Sequence, residues 1–242
     1  MTALRRVARF EHRLTRPNAS LADLDAAVAL AVEHGLAALM VSPWLVKPAG
    51  RLLARSGVRL GTVVGFPHGG QVTKVKAFEA SNALEHGAVE LDFVMNTGAL
   101  VSGDDEMVVA DMLAVVEMAH SAMAPAGVIL DAEALDDELV RRACRLAVRA
   151  GADHLVTSNG GEPALTTIER TGHLHRAVGG QLAVKAAGIL TDVTELGQAV
   201  AAGAARVSTE FTRHLARDAT DLLSAARDGG ATPLADVGVA AG

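Results

Sequence analysis

The stretch NALEHGAVELDFVMN, residues 82–96, contains the pattern that decides the fold. A helical pattern ends at Gly87, and a short apolar run over residues 88–95 begins immediately after it. The same succession, written HGL or AGA, precedes three further apolar runs. We interpret eight such runs as strands, at residues 6–10, 36–41, 59–65, 88–95, 127–130, 154–157, 182–186 and 205–208.

Helical patterns separate these strands, so the sheet is predicted to be parallel. Eight such units in a chain of 242 residues predict a single-domain (β/α)8 barrel, which we place at residues 1–226. An open, doubly wound sheet is the alternative, but EHRLTRPN follows the first strand where that fold would place a glycine-rich dinucleotide loop. The Gly- and Ala-rich residues 227–242 are expected to form a flexible tail.

The composition excludes several classes of function. Half of the residues are hydrophobic and 21% are charged, so the chain can bury a large core. The net charge of −6 argues against a nucleic-acid partner, and the uncharged apolar runs are too short to span a membrane. The single cysteine, Cys144, fits a reducing compartment, so we expect a cytoplasmic protein. The sequence spacings of common metal sites do not occur, so neither a metal nor another cofactor is expected.

Two charged residues end apolar runs, Asp92 in AVELDFVMN and Lys185 in QLAVKAAGI. Reacting groups of a (β/α)8 barrel lie at the carboxyl ends of its strands, so both side chains are expected near the mouth. A buried carboxylate and amine are costly, and such a pair can move protons or polarise a carbonyl oxygen. We therefore predict that Asp92 and Lys185 are catalytic, with a salt bridge between them as the structural alternative.

Four segments resemble deoxyribose-phosphate aldolases: EHRLTRP (11–17), TVVGFPHGG (62–70), KVKAFEA (74–80) and GAVELDFVMNTGALVSGD (87–104). The resemblance extends from about residue 4 to residue 215 and implies a cofactor-independent (β/α)8 aldolase. It further implies a Schiff-base lysine on strand six, a second lysine on strand seven that lowers the pKa of the first, and a proton-transferring aspartate on strand four.

The resemblance implies that this chain is a diverged member. Asp92 matches the aspartate and Lys185 the second lysine, but the Schiff-base lysine corresponds to Val156, in VTSNG. A valine side chain cannot form a carbinolamine.

The phosphate-binding segments that the resemblance implies also differ. VKAAGILT has one glycine fewer than the family pattern, and VSTEF places Ser208 and Glu210 where the family has a glycine and a serine. A carboxylate repels a phosphate, and a missing glycine blocks close backbone approach, so we expect an unphosphorylated ligand. Alternatively, Glu210 only stabilises the N-terminus of the last helix.

Further residues that follow the strands are predicted to bind substrate. Arg13 can hold a carboxylate in place of a phosphate, and His68 and Asn96 can form hydrogen bonds with a ligand. His154 either relays protons or is a core histidine. The predicted substrate-binding residues are Arg13, His68, Asn96, Asp131, Glu133, Ser158, Asn159, Gly160, Gly188, Ser208 and Glu210.

Three functions remain open from the sequence. The first is an enzyme that acts on an unphosphorylated carbonyl substrate by enolate-type acid–base chemistry: aldol or retro-aldol cleavage, cyclisation, dehydration or isomerisation. The second is an inactive aldolase-like barrel that binds a metabolite or a protein partner. The third is ordinary deoxyribose-phosphate cleavage that uses another lysine. A small-molecule partner is expected in the first and third cases, and pairing into a homodimer is an open alternative.

Overall fold

The computed structural model describes residues 9–130, 135–211 and 213–225. Eight parallel strands close into a barrel in chain order, because β1 pairs with both β2 and β8. This confirms the single-domain (β/α)8 prediction and excludes the open sheet. The strands are β1 (Phe10–Leu14), β2 (Ala38–Val41), β3 (Arg59–Val64), β4 (Glu90–Val94), β5 (Ala126–Ile129), β6 (His154–Val156), β7 (Ala183–Ala187) and β8 (Arg206–Thr209).

Helices follow the strands and surround the barrel. The described helices are α1 (Leu21–Glu33), α2 (Val46–Leu53), α3 (Thr73–Glu85), α4 (Thr97–Val101), α5 (Asp105–Ser121), α6 (Asp137–Arg149), α7 (Ala164–Val178), α8 (Val193–Ala201) and α9 (Arg213–Ala225). Local chemistry sets their ends. Ser20 and Asp23 form a capping box at the start of α1, and Gly35, with φ +60°, follows its end.

The first strand lies further along the chain than the sequence predicts. The prediction placed it at residues 6–10, whereas β1 spans Phe10–Leu14, and residues 1–8 lie outside the described part. The segment FEHRL does not show the pattern of a buried strand, because three polar or charged residues, Glu11, His12 and Arg13, follow one another. Glu11 is consequently buried at the start of β1 and not at its carboxyl end, which Arg13 approaches instead.

Two apolar regions hold the barrel together. The larger one packs the outer strand faces against the helices and includes Leu39, Leu91 and Phe93, all fully buried. The second is a layer inside the barrel, formed by Val63, Val94, Ile129, Val156 and Ala187, with Phe66 packed against it. This inner layer lies between the mouth of the barrel and a buried ionic cluster, in which Lys185 contacts Glu11, Glu90 and Asp92.

No helix among the described residues is long and apolar enough to cross a membrane. The tail predicted at residues 227–242 lies outside the described residues, so the boundary at 226 stays a prediction.

Candidate functional site

Lys185 on β7 is the centre of the buried ionic cluster. Its Nζ atom lies 2.7 Å from Oε1 of Glu90, 2.8 Å from Oδ2 of Asp92 and 3.2 Å from Oε1 of Glu11. Burial alone would lower the pKa of Lys185, but Asp92, Glu11 and Glu90 together raise it well above its usual range. The amine is therefore held as an ammonium.

Asp92 uses both carboxylate oxygens inside this cluster. Oδ2 accepts from Lys185, and Oδ1 lies 2.8 Å from Nε2 of His154. Burial would raise the pKa of Asp92, but Lys185 and the contact with His154 hold it below its usual range. Lowering the pKa makes the carboxylate a weaker base, because general acid–base catalysis is most effective when the pKa lies near the working pH.

Arg206 supports the cluster from β8. Its Nη1 donates to both carboxylate oxygens of Glu90, at 2.5 and 2.7 Å, and lies 3.3 Å from Oε2 of Glu11. Burial alone would raise the pKa of Glu90, but Lys185 and Arg206 lower it well below its usual range. Arg59 also approaches Glu90, with its Nη2 3.5 Å from Oε2. Three carboxylates and three cations thus balance one another at the barrel interior.

A group of possible metal ligands lies within the same cluster. One donor atom each from Glu90, Asp92 and His154 lies within 4.8 Å of the others. The ammonium of Lys185 donates to both carboxylates of this group, and Arg206 donates to Glu90 as well, so two cations already compensate the two carboxylates. The donor set is therefore better explained as a binding site for the lysine than for a metal ion.

The inner apolar layer lies between the cluster and the mouth. Val156 lines a cavity of about 20 Å³ together with Val63, Ile129 and Ala187, and Asp92 lies at the wall of that cavity. Such a volume holds about one water molecule. Lys185 is not among the residues that line it.

A much larger cavity, of about 510 Å³, opens at the mouth. Arg13, Phe66 and Asn159 line both cavities, so the two are adjacent. The loop after β6 contributes Asn159, Gly160 and Gly161, and the loop after β7 contributes residues 188–191. Glu210 lines the large cavity after β8. This volume accommodates a small organic molecule.

Arg13 extends from β1 to the loop after β6. Its Nη1 donates to the backbone oxygen of Asn159 at 3.0 Å, and its Nη2 donates to that of Gly160. Burial lowers the pKa of Arg13, and the more distant Glu210, Glu11 and Glu162 counteract this effect.

The two serines predicted to bind substrate lie at the wall of the small cavity. Ser158 Oγ donates to the backbone oxygen of Ala187 and accepts from the backbone N–H of Gly160. Ser158 and Ser208 are both buried, and both line the small cavity. Gly188 lines the large cavity and closely approaches α7, because a Cβ atom built on it would lie 1.9 Å from Oγ1 of Thr167.

Two other predicted ligand residues lie elsewhere. Asn96 caps α4, where its Oδ1 accepts from the backbone N–H of Ala99 at 3.1 Å, and it lines neither of the two cavities. The side chain is thus engaged in helix capping. His68 is exposed and also lines neither cavity. Asp131 and Glu133 lie outside the described residues, so their predicted role stays a prediction.

Comparison with known proteins identifies the family. The family model described as DeoC/LacD family aldolase matches residues 2–209. The chain belongs to the DeoC/LacD aldolase family. This confirms the resemblance on which the sequence interpretation relied.

Three similar proteins carry the name of an aldolase. A deoxyribose-phosphate aldolase of Geobacillus sp. (strain WCH70) is 39% identical over 199 residues, which are 82% of this chain and 89% of the relative. One from Bacillus cereus (strain AH187) is 38% identical over 215 residues, 87% of this chain and 96% of the relative. The solved structure "QR15, an Aldolase" superposes with a TM-score of 0.81 at 28% identity, covering 93% of this chain and 98% of that one.

Two residues of the cluster, Glu90 and Arg206, are not among the residues predicted from the sequence. Glu90 precedes Asp92 by two residues and therefore faces the same side of β4. That alternation was the available signal. Arg206 carried none, because its role depends on a contact with β4 from the far side of the barrel.

Proposed function

We propose that this chain is a DeoC/LacD-family barrel that binds a small organic metabolite at its mouth and forms no lysine imine with it. The main support for this proposal is the environment of Lys185. Its ammonium contacts three carboxylates, and the side chain is almost completely buried. Lys185 lines neither of the two cavities. Only a neutral amine attacks a carbonyl group, and these contacts favour the charged form.

The other lysines do not replace it. The sequence contains four lysines, and all four lie within the described residues. Lys76 is fully buried and donates to Asp111 at 2.6 Å and to the backbone oxygen of Val94 at 2.9 Å. Lys47 and Lys74 are exposed, and neither lines the mouth cavity. The position that the family resemblance assigns to the nucleophile is Val156, which lines the small cavity.

The mouth cavity supports a binding function. It joins apolar surface from Phe66, Leu190 and Leu215 to the polar groups of Arg13 and Glu210. An apolar wall with few polar groups is typical of small-molecule sites. The volume of about 510 Å³ fits a small metabolite.

Reductive trapping tests the claim that no lysine forms an imine. The protein is incubated with acetaldehyde and sodium borohydride under conditions that modify a DeoC/LacD relative from Bacillus cereus, and its intact mass is measured. We expect no stoichiometric adduct, and no cleavage of 2-deoxyribose 5-phosphate. A stoichiometric adduct on any single lysine, or turnover of the sugar phosphate, would contradict the proposal.

A substitution that fills the mouth cavity tests the claim that a small molecule binds there. Gly161 lines the mouth cavity, and a Cβ atom built on it meets no other atom within 4 Å, so Gly161→Phe adds a ring without a clash at Cβ. Gly70 has the same free space but does not line this cavity, so Gly70→Phe is the matched control. Saturation-transfer NMR with a set of small carbonyl compounds is expected to detect binding to the parent and to Gly70→Phe, with loss in Gly161→Phe. Equal binding to all three would refute a site at the mouth.

A second candidate is acid–base catalysis by Asp92, and one observation favours it. Asp92 lines the small cavity, so a carbonyl oxygen or a water could reach its carboxylate. The fitting reaction is removal of a proton next to a carbonyl group, with Lys185 and His154 stabilising the charge. Proton NMR of acetone in deuterium oxide measures this exchange. Exchange by the parent that Asp92→Asn abolishes and the exposed control Asp218→Asn retains would establish this candidate.

A further inference from the structure

We infer that Arg13 makes the mouth cavity selective for ligands that carry a carboxylate and against phosphate monoesters. This inference rests on the proposed binding function and names its ligand class. Arg13 lines both the large cavity and the small one, so a group bound between the loops after β6 and β7 meets its side chain.

The charge of Arg13 has no close counterion among the described residues. Its guanidinium donates to the backbone oxygens of Asn159 and Gly160, and no carboxylate of the described residues lies within 4.0 Å of it. Arg16, which lines the same cavity, differs because its Nη2 lies 2.6 Å from Oδ1 of Asp23. Among the described residues that line this cavity, Arg13 is therefore a cation without a close anionic partner.

The guanidinium keeps donors available for such a partner. A guanidinium has five N–H groups, and backbone oxygens take two of those of Arg13. Burial lowers the pKa of Arg13, which indicates that its charged form is incompletely compensated. A bound anion would supply the missing compensation, and the planar fork of the guanidinium matches a planar carboxylate.

The position of Arg13 is built into the fold by Gly160. This glycine has φ +89°, and a Cβ atom built on it would lie 0.6 Å from Nη1 of Arg13. No side chain could occupy residue 160 while Arg13 keeps its place. The pair is therefore one structural unit that crosses the barrel from β1 to the loop after β6.

The backbone after β7 is poorly suited to a phosphate. A phosphate site on a loop needs free backbone N–H groups. The N–H groups of residues 188–191 are engaged internally, with the oxygen atoms of Ser208, Glu162, Thr209 and Glu195. Glu210 also lines the cavity, and it repels a phosphate dianion more strongly than a carboxylate monoanion.

The test compares three probes of similar size: levulinate, its uncharged methyl ester, and glycerol 3-phosphate. Dissociation constants are measured by saturation-transfer NMR at constant ionic strength for the parent, Arg13→Met, Gly160→Ala and Arg145→Met. Methionine keeps the apolar stem of Arg13 without its charge. Arg145→Met removes the same charge from the exposed surface of α6, away from the cavity.

We expect the parent and Arg145→Met to bind levulinate at least about tenfold more tightly than the methyl ester and than glycerol 3-phosphate, the range of a charge-assisted hydrogen bond. In Arg13→Met and Gly160→Ala this preference should be lost, so that the dissociation constants of levulinate and of its methyl ester become equal within about twofold. Circular dichroism checks that each variant is folded, and Gly160→Ala provides the result if Arg13→Met is not.

Two outcomes would overturn the inference: a parent without a carboxylate preference, including one that prefers the phosphate, or a preference that survives in both variants. Failure of the proposed function would give a different experimental result from failure of this inference. Ester binding without a carboxylate preference refutes only the selectivity, whereas borohydride trapping of an imine refutes only the absence of imine chemistry.

Discussion

Val156 and Lys185 are register partners on β6 and β7, and their side chains occupy two different layers of the barrel. Val156 belongs to the inner apolar layer, whereas Nζ of Lys185 reaches the carboxylates of Glu90 and Asp92. An apolar side chain thus lies next to a lysine whose charge is fully compensated. The arrangement is consistent with the proposed function, in which Lys185 is an ion-pair partner and forms no imine.

Replacing Val156 by lysine should create an amine that forms imines. The new side chain would lie in an apolar layer, beside the ammonium of Lys185 across the β6–β7 pair. Burial and a neighbouring positive charge both lower a lysine pKa, which raises the fraction of neutral amine at pH 7. We expect Val156→Lys to gain a borohydride-trapped acetaldehyde adduct, and peptide mass spectrometry should place it at residue 156.

Val156→Met is the matched control, since it has similar length and no amine. A folded Val156→Lys protein that traps no more aldehyde than Val156→Met would show that the mouth no longer admits a carbonyl group to this position. The parent should behave like Val156→Met.

Removal of Lys185 should mainly cost stability. In Lys185→Met, the carboxylates of Glu11, Glu90 and Asp92 would lose their shared ammonium, with Arg206 left to compensate two of them. Removing one partner of a buried ion pair costs about 3–5 kcal/mol. We expect a decrease of that size in the free energy of unfolding, measured by urea denaturation at pH 7.

The exposed Lys74→Met variant controls for loss of a lysine in general, and it should change the free energy of unfolding by less than about 0.5 kcal/mol. If Lys185→Met is as stable as Lys74→Met, the ionic cluster contributes little to folding. The expectation that removal of Lys185 mainly costs stability would then be wrong.

Much of the fold could be predicted from the sequence, because helix stops such as Gly87 precede apolar strands in a repeated order. The meeting of Asp92 and Lys185 was also predictable, since the carboxyl ends of parallel strands converge. The direction in which the Lys185 side chain extends could not be predicted. A long flexible side chain can extend towards the mouth or towards the barrel interior, and Glu11 and Glu90, which decide the matter, are distant in sequence.

The capping role of Asn96 could not be predicted from the sequence for a related reason. An asparagine directly after a strand fits a ligand contact and a helix cap equally well, because both use its side-chain oxygen. The short helix α4 that begins at Thr97 decides between them, and five residues give too weak a pattern to predict it.

His12 should make the stability depend on pH above the range in which carboxylates titrate. Burial, aided by Arg13 and Arg16, lowers the pKa of His12 to about 4 from 6.5. The folded state therefore keeps the ring neutral between these values, while the unfolded state takes up a proton. Stability is lost as the pH falls through this window, by about 2 kcal/mol between pH 7 and pH 5.

His12→Asn tests this dependence. Nδ1 of His12 accepts from the backbone N–H of Phe211 at 2.9 Å, and an asparagine oxygen can replace that acceptor without titrating. Urea denaturation from pH 7 to pH 5 should give a nearly flat free energy of unfolding for the variant and a falling one for the parent. Parallel curves for the two proteins would show that the histidine is not responsible.

Lys76 and Asp111 should show strong energetic coupling. Both side chains are fully buried and lie 2.6 Å apart between α3 and α5, and Lys76 also donates to the backbone oxygen of Val94. Lys76→Met leaves a buried carboxylate without its cation, which costs about 3–5 kcal/mol. Replacing both partners by apolar residues removes that penalty, so Lys76→Met with Asp111→Leu should be more stable than Lys76→Met alone. A double-mutant cycle by urea denaturation measures the coupling, and additive effects of the two substitutions would disprove it.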